Sequence, residues 1–186
     1  VFPAVHVDPH LFDADARAVL PARTHKVGQA VAVVAALDAR HHRAVQEHRV
    51  AALDEARAFA VARVQQAVVQ QVRVLAFCLL DDQVHLLVEP TGADGLGRLL
   101  QSLGRRYGAA FNRRHGRSGT LWDGRFRATV LEPGAGLIEA MLCVEQAAQR
   151  AGRVAAALDW PWSSAAHHSG RRRCAWIGDP PGYWSL

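Results

Sequence analysis

The chain has 186 residues, half of them hydrophobic and 21% charged, which supports a buried core and excludes global disorder. Its net charge of +5 is unevenly spread: residues 1–97 carry nine Lys or Arg against eleven acids, and residues 98–186 carry thirteen Arg against six acids. No apolar run reaches the ~18–20 residues of a membrane span, no basic-then-apolar leader opens the chain, and three scattered cysteines (Cys78, Cys143, Cys174) suit a reducing cytoplasm better than a disulfide framework or a structural zinc site.

Residues 1–30 are poorly patterned, and His6, His10 and His25 among them make no metal motif. From Val31 to Gln71 there is neither Gly nor Pro. Leu53, Ala56, Ala60, Val64 and Ala67 recur at helical steps, so this stretch reads as amphipathic helix with a break near His41-His42. Arg73–Leu80 and Val84–Glu89 read as strands joined by the turn-forming Asp81-Asp82-Gln83. On the second strand Val84, Leu86 and Val88 share one face, and His85, Leu87 and Glu89 the other.

Residues 96–114 form the most legible helix. Leu96, Leu99, Leu100, Leu103, Tyr107, Ala110 and Phe111 line one side, opposite Arg98, Gln101, Arg105 and Asn112, with Arg106 and Arg113 at the margin. A basic loop follows, then a strand over Arg125–Leu131 with Phe126, Ala128 and Val130 expected inward. A second helix is expected from about Ala135 to Arg150, and the aromatic, Pro-rich tail is expected to be partly ordered. The order helix, strand, strand, helix, strand, helix implies an α+β fold with an antiparallel sheet and helices on one face, the N-terminal region adding a further strand.

Between Arg98 and Arg127 there are eight arginines, one histidine and one acid, interleaved with Tyr107, Phe111, Trp122 and Phe126. Arginine forks bind phosphate and stack on bases, so Arg98, Arg105, Arg106, Arg113, Arg114, His115, Arg117, Arg125 and Arg127 are candidate DNA contacts. Trp122, in its Gly-rich basic loop, is either a base contact or a packing residue, whereas Tyr107 and Phe111 sit on the apolar helix side and read as core. A GC-rich coding bias also explains a preference for Arg over Lys, but not the clustering.

Three blocks carry a family resemblance. FNRRHGRSGTLWDGRF (Phe111 to Phe126) resembles the signature of the single-tyrosine HUH transposases, particularly the branch associated with repetitive extragenic palindromes (REP). LAFCLLDDQVHLLVEP (Leu75 to Pro90) resembles the strand pair bearing that family's His-hydrophobe-His motif, and LDWPWSSAAHH (Leu158 to His168) its Trp-Ser-Ser segment. Residues 73–168 thus form a transposase-like core, 1–72 a poorly matching strand and helix region of the same domain, and 169–186 a tail. The resemblance implies a ferredoxin-like fold and a divalent metal (Mg or Mn) on two strand histidines. It also implies a helix-borne nucleophilic tyrosine, hairpin or single-stranded DNA as partner, a homodimer, and a bacterial cytoplasm with nucleoid association.

Within that resemblance the catalytic positions are altered. The metal motif reads Gln83-Val84-His85, leaving His85 with Gln83 as a weaker oxygen donor. Counting from Gly124-Arg125-Phe126 and from Arg150-Ala151-Gly152 puts the tyrosine position at Gly136, which offers no nucleophile, and Ala147-Ala148 stand where the family has Asn-Pro. Tyr107 and Tyr183 are the available substitutes. The expectation is a transposase-derived DNA-binding protein deficient in cleavage. The alternatives are an active transposase with a displaced tyrosine, a decaying relative, or an RNA-binding domain of similar topology.

Overall fold

The computed structural model describes residues 72–92, 94–122, 126–131, 135–179 and 183, together with the backbone of a strand at 32–38. That strand, β1 (Ala32–Asp38), corrects the helical reading of the run beginning at Val31. It is the interior strand between β3 (Gln83–Pro90) and β4 (Arg127–Leu131), with Val33 opposite Val88 on one side and Val130 on the other. Two ladders and the β-branched Val33-Val34 outweigh the helical preference of its alanines. A further N-terminal strand is thus present, but in the run read as helix; residues 1–30, from which it was expected, lie outside the described residues. The break near His41 and the periodicity over 53–67 lie outside the described residues.

Strand β2 (Val72–Leu79) pairs with β3 as the hairpin expected, closed by the Leu80 N–H donating to the Gln83 carbonyl at 2.8 Å. The sheet order is β2-β3-β1-β4 with every pairing antiparallel. With α1 (Gly95–Arg114) between β3 and β4, this is the ferredoxin-like arrangement.

One sheet face carries Val72, Val74, Phe77, Leu79, Val84, Leu86, Val88 and Ala128, packed with Leu96, Leu99, Leu100 and Leu103 of α1. The opposite face carries Leu75, Ala76, Cys78, Leu80 and Leu87. It is covered by Leu137, Ala140, Met141 and Val144 of α2 (Ala135–Glu145) and by Ala147 and Ala148 of α3 (Ala147–Arg150). The sequence reading put helices on one face; α1 takes that place and α2 adds a layer to the other. The reason lies in β2, whose apolar run leaves no polar side to face water. A register irregularity between Val74 and Ala76 lets Leu75 and Ala76 both turn to the α2 face and returns Phe77 to the first.

The tail is anchored where the sequence suggested partial order. The Leu79 N–H donates to Trp162 O at 2.9 Å, Ser164 N–H to Phe77 O at 3.0 Å, and Gly178 N–H to Val74 O at 2.8 Å, so the outer edge of β2 is covered. On β4, Ala128 is buried as expected but Val130 is 41% exposed; Phe126, just before the strand, is half-buried. Among the described residues β4 ends the sheet order with β1 as its one sheet partner, and the apolar alternation overstates burial at such a position. No helix among the described residues is long and apolar enough to cross a membrane.

Candidate functional site

The arginines of α1 lie where the helical spacing places them. Arg98, Arg105, Arg106, Arg113 and Arg114 are exposed, opposite the leucines that bind the sheet. Arg98–Arg105 and Arg106–Arg113 are each seven residues apart, so they form two rows about 10 Å long on the solvent side. Arg113 and Arg114 fall in the last turn, where their charges also complement the helix dipole. Arg98 has an exposed ion pair with Asp94 at 3.4 Å, which contributes little.

Beyond the helix the chain turns at Gly116 (φ 59°) and Gly119 (φ 87°), left-handed conformations that favour glycine. His115 and Arg117 are half-buried over Phe111, the imidazole 4.3 Å from the ring and the guanidinium 5.8 Å. Arg117 is thus partly committed to its own loop. The side chains of Arg125 and Arg127 lie outside the described residues. Trp122 is half-buried: its Nε1–H donates to the Gly104 carbonyl at 3.0 Å and its ring lies 5.6 Å from Tyr107. Of its two sequence readings, the observed geometry is the packing one.

The Gln83–His85 pair sits on β3, alternating onto the α2 face with Leu87. His85 Nε2–H donates to Gln83 Oε1 at 3.1 Å, while His85 Nδ1 is buried without a hydrogen-bond partner among the described residues, so an ion between the pair requires the ring proton to move to Nδ1. Burial, and secondarily the Arg150 guanidinium, lower the His85 pKa to about 4 against an opposing pull from Asp82. A neutral imidazole beside a carbonyl oxygen can hold a divalent ion, so the pair fits the metal that the fold family implies as half a site. Among the described residues no group of three His, Cys, Asp or Glu ligand atoms includes His85, and the nearby guanidinium opposes a cation. Arg150 also donates to the carbonyl of the buried Cys143 at 2.6 Å, and burial raises that thiol's pKa.

Helix α2 lies over the sheet face that bears His85. Gly136 is in its first turn, exposed, and a Cβ built there meets no atom within 4 Å. Tyr107 packs on the α1 face, across the sheet from His85, and so is not brought to the metal pair. The Tyr183 hydroxyl donates to His168 O at 3.0 Å, and burial, then Glu145 and Asp179, raise its pKa, which suppresses the phenolate.

Sequence reasoning missed a buried polar cluster beneath the tail. Glu145 Oε1 accepts from the Ser164 hydroxyl and from His168 Nδ1, each at 2.5 Å, and Ser164 Oγ also accepts from the Phe77 N–H at 3.0 Å. His167 Nδ1 accepts the Cys174 N–H at 3.0 Å while its Nε2 meets Asp179 Oδ1 at 3.1 Å. The one sequence signal was the Trp-Ser-Ser-Ala-Ala-His-His block; nothing tied it to Glu145 or Asp179.

No protein-family model matches the chain, and no curated protein matches it. Among solved structures it is similar to the REP-associated tyrosine transposase bound to a REP hairpin, at a TM-score of 0.63 and 14% identity, over 84% of this chain and 91% of that one. A structure described as a candidate transposase from Deinococcus radiodurans R1 is similar at a TM-score of 0.41 and 17% identity, over 72% of this chain and 98% of that one. The first of these likenesses shows that the fold of this chain is that of the REP-associated tyrosine transposase, as the resemblance of the three sequence blocks implied.

Proposed function

We propose that the protein is a DNA-binding derivative of a single-tyrosine HUH transposase that has lost strand cleavage. The observation that carries this reading is the double row of exposed arginines on α1, on a fold whose solved neighbour was captured with a REP hairpin. Guanidinium groups on the solvent side of a rigid helix, in a stretch from Arg98 to Arg127 that holds one acid, suit a phosphate backbone. Hairpin or single-stranded DNA is the proposed ligand and the nucleoid the proposed place of action.

Loss of cleavage rests on the altered positions. Gly136 supplies no nucleophile, Tyr107 lies on the wrong side of the sheet, and Gln83 leaves a divalent ion, which would polarise a scissile phosphate when bound, with half a site. The test is a binding assay comparing hairpin, single-stranded and duplex DNA of one sequence, run beside a denaturing gel for covalent adducts. Hairpin or single-strand preference without an adduct supports the reading. Equal, weak binding to all three contradicts the DNA assignment, and an adduct contradicts the loss of cleavage.

A further inference from the structure

We propose that His168, Asp179 and His167 form a binding site for a divalent transition-metal ion of zinc's class, separate from the Gln83–His85 pair, which fastens the tail to the core. The ligand atoms of these three residues all lie within 4.8 Å of one another. His168 is the prepared ligand. Its side chain is 2% exposed, its Nδ1–H is given to Glu145, and Glu145 is in turn held by Ser164. That leaves the Nε2 lone pair buried with no hydrogen-bond partner among the described residues, 4.0 Å from Asp179 Oδ1.

Four ångströms is too long for a hydrogen bond. It is close to the roughly 3.4 Å that separates two ligands on one tetrahedral zinc with bonds near 2.0–2.1 Å. A carboxylate that orients an imidazole through its far nitrogen is the usual support of a metal-bound histidine. Two imidazoles with one carboxylate select zinc or cobalt over magnesium.

His167 is the weakest of the three. Because its Nδ1 accepts the Cys174 N–H, its Nε2 carries the hydrogen shared with Asp179; to bind an ion through Nε2 the ring must move that proton to Nδ1 and give up the bond from Cys174. His168 belongs to the short helix α4 (Ala165–His168), and Asp179 follows the segment whose Gly178 N–H is bonded to Val74 of β2. An ion joining them closes the tail onto the sheet edge, and the 30% exposure of the Asp179 side chain gives the ion a way in.

The full chain, stripped with a chelator, is melted with increasing Zn²⁺ and separately with Mg²⁺, and Co²⁺ serves as a spectroscopic probe of ligand geometry. A site present only in the folded chain raises the melting temperature with ion concentration. The expected result is a rise with Zn²⁺ but not Mg²⁺, and a Zn²⁺ affinity at least tenfold weaker in Asp179→Asn and in His168→Asn. His167→Ala is expected to lose less, and His85→Ala to keep the response. Asp179→Asn retains shape and an oxygen for His167, so it remains informative if His168→Asn folds poorly. No rise with Zn²⁺, an equal rise in Asp179→Asn (ions held by other histidines only), or loss of the response in His85→Ala would each overturn the site.

Discussion

The indole N–H of Trp122 is bonded to the carbonyl of Gly104, midway along α1, and the absence of a side chain at Gly104 makes room for it. A Cβ at residue 104 would stand 3.2 Å from Trp122 Nε1, whereas one at Gly97 would meet nothing within 4 Å. A mid-helix glycine ordinarily costs ~0.5–1 kcal/mol relative to alanine. Gly97 lies in the first turn of α1, so Gly97→Ala is expected to stabilise the protein by at most about that amount. Gly104→Ala is expected to gain nothing or to destabilise, because the indole must shift. Urea melts of the two variants check this; equal stabilisation by both would mean that Trp122 is not seated on the helix.

A second expectation concerns Glu145, which is 4% exposed and accepts from both Ser164 and His168. Glu145→Ala leaves two buried donors unpartnered, a loss of about 3 kcal/mol. Ser164→Ala removes one of those donors but also the acceptor for the Phe77 N–H, so it too should destabilise, by less. A change below ~1 kcal/mol for Glu145→Ala in chemical denaturation would show that the cluster is not the tie between α2 and the tail.

His85 predicts a pH dependence with a definite sign. Its pKa is about 4 in the folded chain and 6.5 ordinarily, so between those values the unfolded chain binds the additional proton. Stability therefore rises with pH across this window and is lost as pH falls from about 6.5 toward 4, by up to ~3 kcal/mol. His85→Gln should flatten that part of the profile. Arg150→Ala should raise the imidazole's pKa, as followed by NMR titration, because it removes the second cause of the depression while burial remains. An unmoved His85 titration in Arg150→Ala would place the guanidinium elsewhere.

Much of the fold was legible in the chain itself. The β2–β3 hairpin, the sided helix α1 and the order of elements from β2 onward follow from period-2 and period-3.6 patterns that packing then obeys. Strand β1 was not legible, because Ala-Val-Val-Ala-Ala is shaped by partners on both sides rather than by its own preference. The second helical layer could have been read from Arg73–Leu80, apolar on both faces. The seat of Trp122 on α1 was not legible, because a basic, Gly-rich neighbourhood says nothing of a carbonyl 18 residues earlier. The Glu145–His168 pairing spans residues that no local pattern connects.

For the altered catalytic positions, the unmodified chain is expected to give no DNA adduct stable to denaturing electrophoresis, even with abundant Mn²⁺. Gln83→His should tighten Mn²⁺ binding in a calorimetric titration by completing the strand pair. Gly136→Tyr alone should restore little, although a Cβ there meets no atom within 4 Å, and the double variant should restore more. An adduct from the unmodified chain, mapped by mass spectrometry to a tyrosine, would show an active transposase with a displaced nucleophile.

The most direct measurement of the central claim is the salt dependence of hairpin binding by the unmodified chain and by Arg113→Ala/Arg114→Ala. Both side chains are exposed at the end of α1, so the double substitution leaves the core untouched. If the helix tracks a phosphate backbone, log K falls linearly with log salt, and the double variant binds more weakly, its slope reduced by about 0.7–0.9 for each phosphate that is no longer neutralised. An unchanged affinity and an unchanged slope would contradict the assignment of this helix to DNA.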